Sequence, residues 1–262
     1  MKNNFSLSII SHGHRDHIRE LLLDLAALNR DDFDVTLTLN FPEDLPLDLN
    51  ALPYQIRLIC NSDLKGFAAN HNAAFMLSHG ANFIILNPDI RVLEDPFPNI
   101  SAYMKNSPNA ICAPIVVNQY GELEDSARLI PTPFFLVKKL IYKVFKLRLK
   151  PDAIPENELA FLPDWVAGMF VVVPQETYRQ LGGLNENYHM YYEDVDFCVR
   201  AKLTGHTIAV IKNTRVIHEA QRDSHRKLKH LLWHLQSILK FFMSKPYLQL
   251  KLSRLRGDMN KN

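Results

Sequence analysis

Apolar residues follow two alternating rhythms over the first hundred positions. Phe5 to Ile10 is a mostly apolar run of strand length, and Leu21, Leu22, Leu25 and Leu28 then recur at helical spacing. Val35 to Leu39, Ile56 to Cys60 and Phe83 to Leu86 are further short apolar runs, with a helical stretch from Ala68 to Ser78 before the last. Strands alternating with helices predict an α/β fold whose parallel sheet is covered on both faces.

Past residue 100 the pattern loosens. Ala110 to Val117 predicts a strand, and 119–133, with Gly121, Pro131 and Pro133, a loop. Trp165 to Val173 predicts another strand, Pro174 to Leu181 a short helix, Gly182-Gly183 a turn, and Glu193 to Thr204 a helix ending at Gly205. Thr207 to Ile211 is the expected last strand of the domain. Leu228, Leu231, Leu232, Leu235, Ile238, Leu239 and Phe242 then define an amphipathic helix, expected to pack its apolar face on the domain and to leave a basic face in solvent.

Composition restricts the classes. A chain of 262 residues that is 47% hydrophobic buries a real core, as one large α/β domain or two small ones. A formal charge of +2 offers no global reason for nucleic-acid binding, so no nucleic-acid partner is expected. Cys60, Cys112 and Cys198 are odd in number and widely spaced, which argues against a disulfide framework and fits a reducing cytoplasm. No apolar run has the length of a spanning helix, so any meeting with a membrane is expected at its surface.

Ligands of parallel sheets gather beyond the carboxyl ends of the strands, which directs attention to Ser11, His12, Gly13 and His14, to Asn40, to Asn61, Ser62 and Asp63, and to Asn87, Pro88 and Asp89. Pro88 keeps Asn87 extended, so Asp89 is presented on a stiff support. It serves either as a partial site for a hard cation such as Mg²⁺ or Mn²⁺ or as a turn cap. His218, after an apolar strand, is a ligand or a structural histidine.

Glu193, Asp194 and Asp196 fall within four positions at a helix start, where one carboxylate can cap. Successive helical residues point about a hundred degrees apart, so one cap does not explain three acids. One can cap, one can pair with Arg200 four positions on, and one is left for a substrate. Gly66 to Asn72, with Phe67, suits close approach of a ligand to backbone, although the dinucleotide fingerprint is absent. Trp165 with Gly168 suits a sugar ring, or is plain core.

Taken in order, Ile9 to His14, Gly66 to Asn72, Leu86 to Asp89, Trp165 to Gly168 and Tyr192 to Asp196 make the chain resemble family 2 glycosyltransferases, among them the bacterial rhamnosyltransferases of O-antigen assembly. The similarity runs from residue 5 to about 242. It implies a GT-A fold, that is, a nucleotide-binding, mostly parallel sheet flanked by helices, with C-terminal amphipathic helices. The implied domain spans 1–218, with a donor half to about 100 and an acceptor half from about 101, and 219–262 forms a helical extension. The implied chemistry is inverting transfer of L-rhamnose from dTDP-L-rhamnose to a diphospho-undecaprenyl N-acetylglucosamine-type acceptor.

Asp194 matches the family's general base, with Glu193 orienting it or the acceptor. Asp89, and His218 as in some relatives, match the holders of Mg²⁺ or Mn²⁺. Ser11, His12, Asn40, Gly66, Phe67, Asn72, Asn87 and Asp89 are the implied contacts of the nucleotide-diphosphate sugar. Trp165, Gly168, Glu193, Arg128, Arg222 and Arg226 are those of the lipid-linked acceptor. The sequence departs from the family where Asn87-Pro88-Asp89 replaces Asp-x-Asp, and where Asn40 stands in place of a base-contacting Asp.

Thr132 to Lys150 interleaves apolar residues with lysines and arginine and has no acid, which suits an anionic bilayer or a lipid diphosphate. The resemblance therefore implies a cytoplasmic protein attached peripherally to the cytoplasmic face of the inner membrane. Other readings are the same chemistry with galactofuranose, N-acetylglucosamine or another hexose, a catalytically silent GT-A binding module, and a metal-dependent phosphohydrolase.

Overall fold

A computed structural model describes residues 4–145, 154–219 and 227–256. The first half alternates strands and helices: β1 (Phe5–Ser11), α1 (Arg15–Ala27), β2 (Phe33–Leu39), β3 (Gln55–Cys60), α2 (Phe67–Phe75), β4 (Asn82–Leu86), β5 (Ile90–Arg91) and α3 (Phe97–Asn106). The second half comprises β6 (Ile111–Asn118), β7 (Ala127–Arg128), α4 (Pro133–Val144), β8 (Ala160–Phe161), β9 (Trp165–Val166), β10 (Phe170–Pro174), α5 (Gln175–Gln180), α6 (Glu193–Leu203), β11 (Ile208–His218), α7 (Lys227–Phe242) and α8 (Lys245–Arg256).

The main sheet has the order β3-β2-β1-β4-β10-β6-β11-β5, with β8 added to β11. Strands β3, β2, β1 and β4 run parallel, as their apolar runs predict, and β6 is parallel to β11. The sheet is thus mostly parallel, as expected, with β10 entering antiparallel between β4 and β6 and the short β5 and β8 antiparallel to β11. Strand β1 is buried on both faces because each face meets helices. Phe5, Leu7 and Ile9 join the core under α1 and α3, while α2, α5 and α6 cover the other face.

Two strands differ from the expected spans. Trp165 to Val173 is broken by a turn at Ala167–Met169, because the Ala167 N–H donates to Ser126 O and the Gly168 N–H to Asp194. The strand expected to end at Ile211 continues to His218 after an irregularity between Ile211 and Arg215, which absorbs the polar Lys212-Asn213-Thr214 step. Helix α3, absent from the sequence reading, buries Phe97, Ile100 and Met104.

A third apolar cluster joins α6 to the C-terminal helices through Val195, Val199, Phe241, Tyr247 and Leu250. Buried Asp164 fastens the same region, accepting from Lys202 Nζ at 2.5 Å, from Arg254 Nη2 at 2.7 Å and from the Ile130 N–H at 2.9 Å. Among the described residues, no helix is long and apolar enough to cross a membrane.

Candidate active site

A cavity of about 1370 Å³ opens beyond the carboxyl ends of β1, β2 and β4 and is closed by the start of α6 and by residues of α4 and α7. His12, Asn40, Gly66, Phe67, Asn87, Asp89, Arg128, Trp165, Gly168, Glu193 and Asp194 all line it. The chain therefore brings most of the sequence-derived candidates to one place.

At the sheet edge, Asn40 is the centre of an amide network. Its Oδ1 accepts from Asn61 Nδ2 at 3.0 Å, Asn70 Nδ2 at 3.1 Å and the Lys65 N–H at 3.0 Å, and its Nδ2 donates to Lys65 O at 2.9 Å. An aspartate could accept all three but could not make that donation. Asn40 thus fixes the turn that carries Gly66 and Phe67 to the cavity. Ser11 is buried beneath the wall, where its Oγ accepts from the His14 N–H at 3.2 Å.

Asn72 lies apart from the cavity, contrary to its expected place. Its amide donates to Leu184 O at 2.9 Å and to Glu186, while its Oδ1 accepts from the Tyr178 hydroxyl at 2.8 Å and from the Leu184 N–H at 2.9 Å. Phe67, Asn70 and His71 are the residues of α2 that line the cavity, and the next residue, Asn72, turns away from it. Arg222 and Arg226 fall outside the described residues.

His218 Nε2 stands 3.2 Å from Asp89 Oδ2, and the Glu219 N–H donates to Asp89 O at 2.8 Å. The antiparallel register that pairs Ile90 with His218 makes these neighbours. Burial pulls the His218 imidazole down, but the Asp89 carboxylate, with Glu124 behind it, outweighs burial and raises it. Asp89 Oδ1 is buried and has no hydrogen-bond partner.

The three acids of α6 separate by environment. Asp196 is fully buried and pairs with Arg200 Nε at 2.7 Å, the expected i,i+4 bridge. Glu193 is buried, and its Oε2 lacks a partner. Asp194, half-buried at the cavity, accepts at Oδ2 from the Gly168 N–H at 3.2 Å and at Oδ1 from the Val195 N–H at 2.8 Å. Burial, and then the charge of Asp194, pushes the Glu193 carboxyl up to about 8. Burial also raises Asp194, with the Val195 and Gly168 N–H groups acting the other way. Burial, with the charge of Asp194 acting on Glu193, therefore works against ionising both adjacent carboxyls together.

The backbone delivers these acids through Tyr191 and Tyr192, both left-handed at φ of 70° and 71°. Such a conformation costs each non-glycine residue about 1–3 kcal/mol and persists only where packing enforces it. Here His234 of α7 touches both rings, at 5.3 and 5.6 Å between centroids, and Phe241 touches Tyr192 at 5.2 Å. His189 and Trp233, 4.6 Å apart, extend this aromatic wall of the cavity. The sequence reading missed it because no local pattern links 189–192 to 233–234.

Trp165 and Arg128 face one another as register partners of β9 and β7, with Trp165 Nε1 donating to Leu129 O at 3.2 Å and Arg128 ion-paired to Asp125. Gly168 sits where a Cβ would meet the Phe67 ring at 3.1 Å, so the glycine permits Phe67 and the Asp194 contact together.

No protein-family model matches the chain. It is 26% identical over 251 residues to "Rhamnosyltransferase WbbL" of Escherichia coli (strain K12), covering 92% of this chain and 93% of that protein. It is 25% identical over 167 residues to "N-acetylglucosaminyl-diphospho-decaprenol L-rhamnosyltransferase" of Mycobacterium tuberculosis, covering 59% of this chain and 52% of that relative. Its fold superposes on the crystal structure of GalNAc-T7 with UDP, GalNAc and Mn²⁺ at a TM-score of 0.61, with 13% identity, over 97% of this chain and 54% of that one. The chain is a glycosyltransferase of the GT-A fold. The glycosyltransferase so placed bears out the resemblance to family 2.

Proposed function

We propose that this glycosyltransferase moves L-rhamnose from dTDP-L-rhamnose to an N-acetylglucosamine-type sugar on undecaprenyl diphosphate, with inversion at the anomeric carbon. One observation carries the reading: a single cavity is lined by two separate acidic centres, Asp89, whose carboxylate meets His218 just outside the lining, and Glu193 beside Asp194. The sugar and the acceptor are supported by the names of the Escherichia coli and mycobacterial relatives. The work would take place at the cytoplasmic face of the inner membrane, with the donor bound by about 1–100 and the acceptor by about 101–218.

A divalent cation fits the first centre. Asp89 keeps a buried carboxylate oxygen without a partner beside an imidazole, and such cations take one or two carboxylates plus phosphate oxygens. Among the described residues no cluster of three or more ligating side chains exists, which suits a shell completed by the donor diphosphate. Asp89 and His218 would hold Mg²⁺ or Mn²⁺, which when bound neutralises charge on the leaving diphosphate. The crystal structure of GalNAc-T7 with Mn²⁺ has the same fold and supports a cation of this class.

The acceptor hydroxyl oxygen attacks C1 of the sugar, its proton passes to the Asp194 carboxylate, and the C1–O bond to the diphosphate breaks. The Gly168 and Val195 N–H groups hold that carboxylate in one orientation. Glu193 orients the acceptor or the base, Trp165 and Arg128 flank the acceptor, and His12, Asn40, Gly66, Phe67 and Asn87 flank the donor. Base catalysis of this kind supplies roughly 10²–10⁴ in rate.

The test is incubation with Mg²⁺ or Mn²⁺, dTDP-L-rhamnose and a lipid-diphosphate N-acetylglucosamine acceptor, read by mass. A gain of one deoxyhexose supports donor and acceptor together. Transfer only from another nucleotide hexose replaces the donor, and no transfer from any donor leaves a silent binding scaffold.

A further inference from the structure

The periodicity of α7 assigns its leucines to packing on the domain, but only some of its apolar residues do so. Phe241 is buried, with Ile238 and Phe242 packed beside it. Leu232, Leu235, Leu239 and Met243 point the other way, between 48% and 73% exposed, at spacings of three and four that align them in one stripe. Helix α8 repeats the arrangement, with Tyr247 and Leu250 buried and Leu248, Leu252 and Leu255 exposed. Single exposed leucines are ordinary, whereas two aligned stripes on neighbouring helices mark an interaction surface.

Charge identifies the occupant. Lys245, Lys251 and Arg256 are exposed on the same helical segment, and no Asp or Glu occurs between Asp223 and Asp258. A surface of aligned leucines with cations and no acids is complementary to anionic lipid headgroups over acyl chains.

We infer that the outer faces of α7 and α8 dock the enzyme on an anionic bilayer. The same α7 turns Trp233 and His234 into the cavity, and α4, which exposes Phe134, contributes Phe135 and Leu136 to it. Docking through α7 therefore holds the cavity beside the bilayer, where a lipid-carried acceptor reaches Asp194 without leaving the membrane. That last consequence rests on the acceptor proposed above; the docking itself does not.

The experiment is co-sedimentation of the full chain with phosphatidylcholine vesicles, with or without phosphatidylglycerol, beside a Leu235→Glu/Leu239→Glu variant. Both leucines are exposed and neither lines the cavity, so circular dichroism and the melting temperature should match wild type. The expected result is binding to the anionic vesicles, weakened by salt and reduced about tenfold or more in the variant. Transfer to a short-chain, water-soluble acceptor should be unchanged in the variant, while transfer to vesicle-borne acceptor falls. Failure of wild type to bind anionic vesicles overturns the inference, as does equal binding by the variant. So does a wild-type dimer that the variant converts to monomer in sedimentation velocity without vesicle binding, which would make the stripe a self-interface. Vesicle binding by wild type and its loss in the variant, with no sugar transfer to either acceptor, would leave the docking face standing and remove the proposed function instead.

Discussion

His218 Nε2 lies 3.2 Å from Asp89 Oδ2, joining the end of β11 to the turn that precedes β5. The contact makes one edge of the cavity depend on both the first and the second half of the chain. Replacing Asp89 or His218 with Ala should raise the Mg²⁺ or Mn²⁺ concentration needed for half-maximal transfer by about 10- to 100-fold, and a chelator should abolish transfer. Initial rates titrated with metal provide the measurement. An unchanged metal response in His218→Ala would remove the imidazole from the ligand set.

Asp194→Asn keeps the size of the side chain and removes its basicity. Turnover should fall about 10²–10⁴-fold while donor affinity stays within about twofold, because the role proposed for Asp194 is to take the proton of the acceptor hydroxyl. Single-turnover rates and calorimetric donor binding separate the two effects.

Gly168→Ala places a methyl group 3.1 Å from the Phe67 ring and beside the N–H that orients Asp194. The expected loss in turnover is about tenfold with little change in melting temperature, since small displacements of a catalytic group are costly. Restoration of activity by Phe67→Leu in the same chain would confirm the steric cause.

Glu193 links stability to pH. Its folded pKa is raised by burial and by Asp194 to about 8, so its contribution is full below the ordinary glutamate value and is lost as pH rises toward 8. Urea unfolding should show wild-type stability declining from about pH 5 to about pH 8, and Glu193→Gln should flatten that decline. An identical slope in the variant would assign the effect elsewhere.

Asp164 behaves oppositely. Burial opposes its ionisation, but Lys202, the Ile130 N–H and Arg254 together hold its pKa below the ordinary value. Its stabilisation is present above the usual aspartate range and is lost as pH falls through the depressed pKa. Asp164→Ala leaves two cations without a buried partner and should cost about 3–5 kcal/mol near neutral pH, measured by denaturant unfolding.

The strands of the first half were legible in the sequence because burial on both faces writes a continuous apolar run, and a run is a local signal. Asp89 was legible too, since Pro88 and the end of an apolar strand place it at the sheet edge whatever lies opposite. The crowding of Glu193, Asp194 and Asp196 at a helix start was visible for the same reason, as was the Asp196–Arg200 spacing.

What only the tertiary structure decided are relations between distant segments. The antiparallel entry of β10, the pairing of β5 with the far end of β11, and the seating of Tyr191 and Tyr192 against His234 depend on register and packing. Asn72 shows the limit from the other side: its neighbours in sequence reach the cavity, but the turn of α2 points its amide at Leu184 and Tyr178. Helical periodicity likewise found the apolar positions of α7 but not which of them the domain covers, because periodicity reports spacing along one helix and burial is settled by what packs against it.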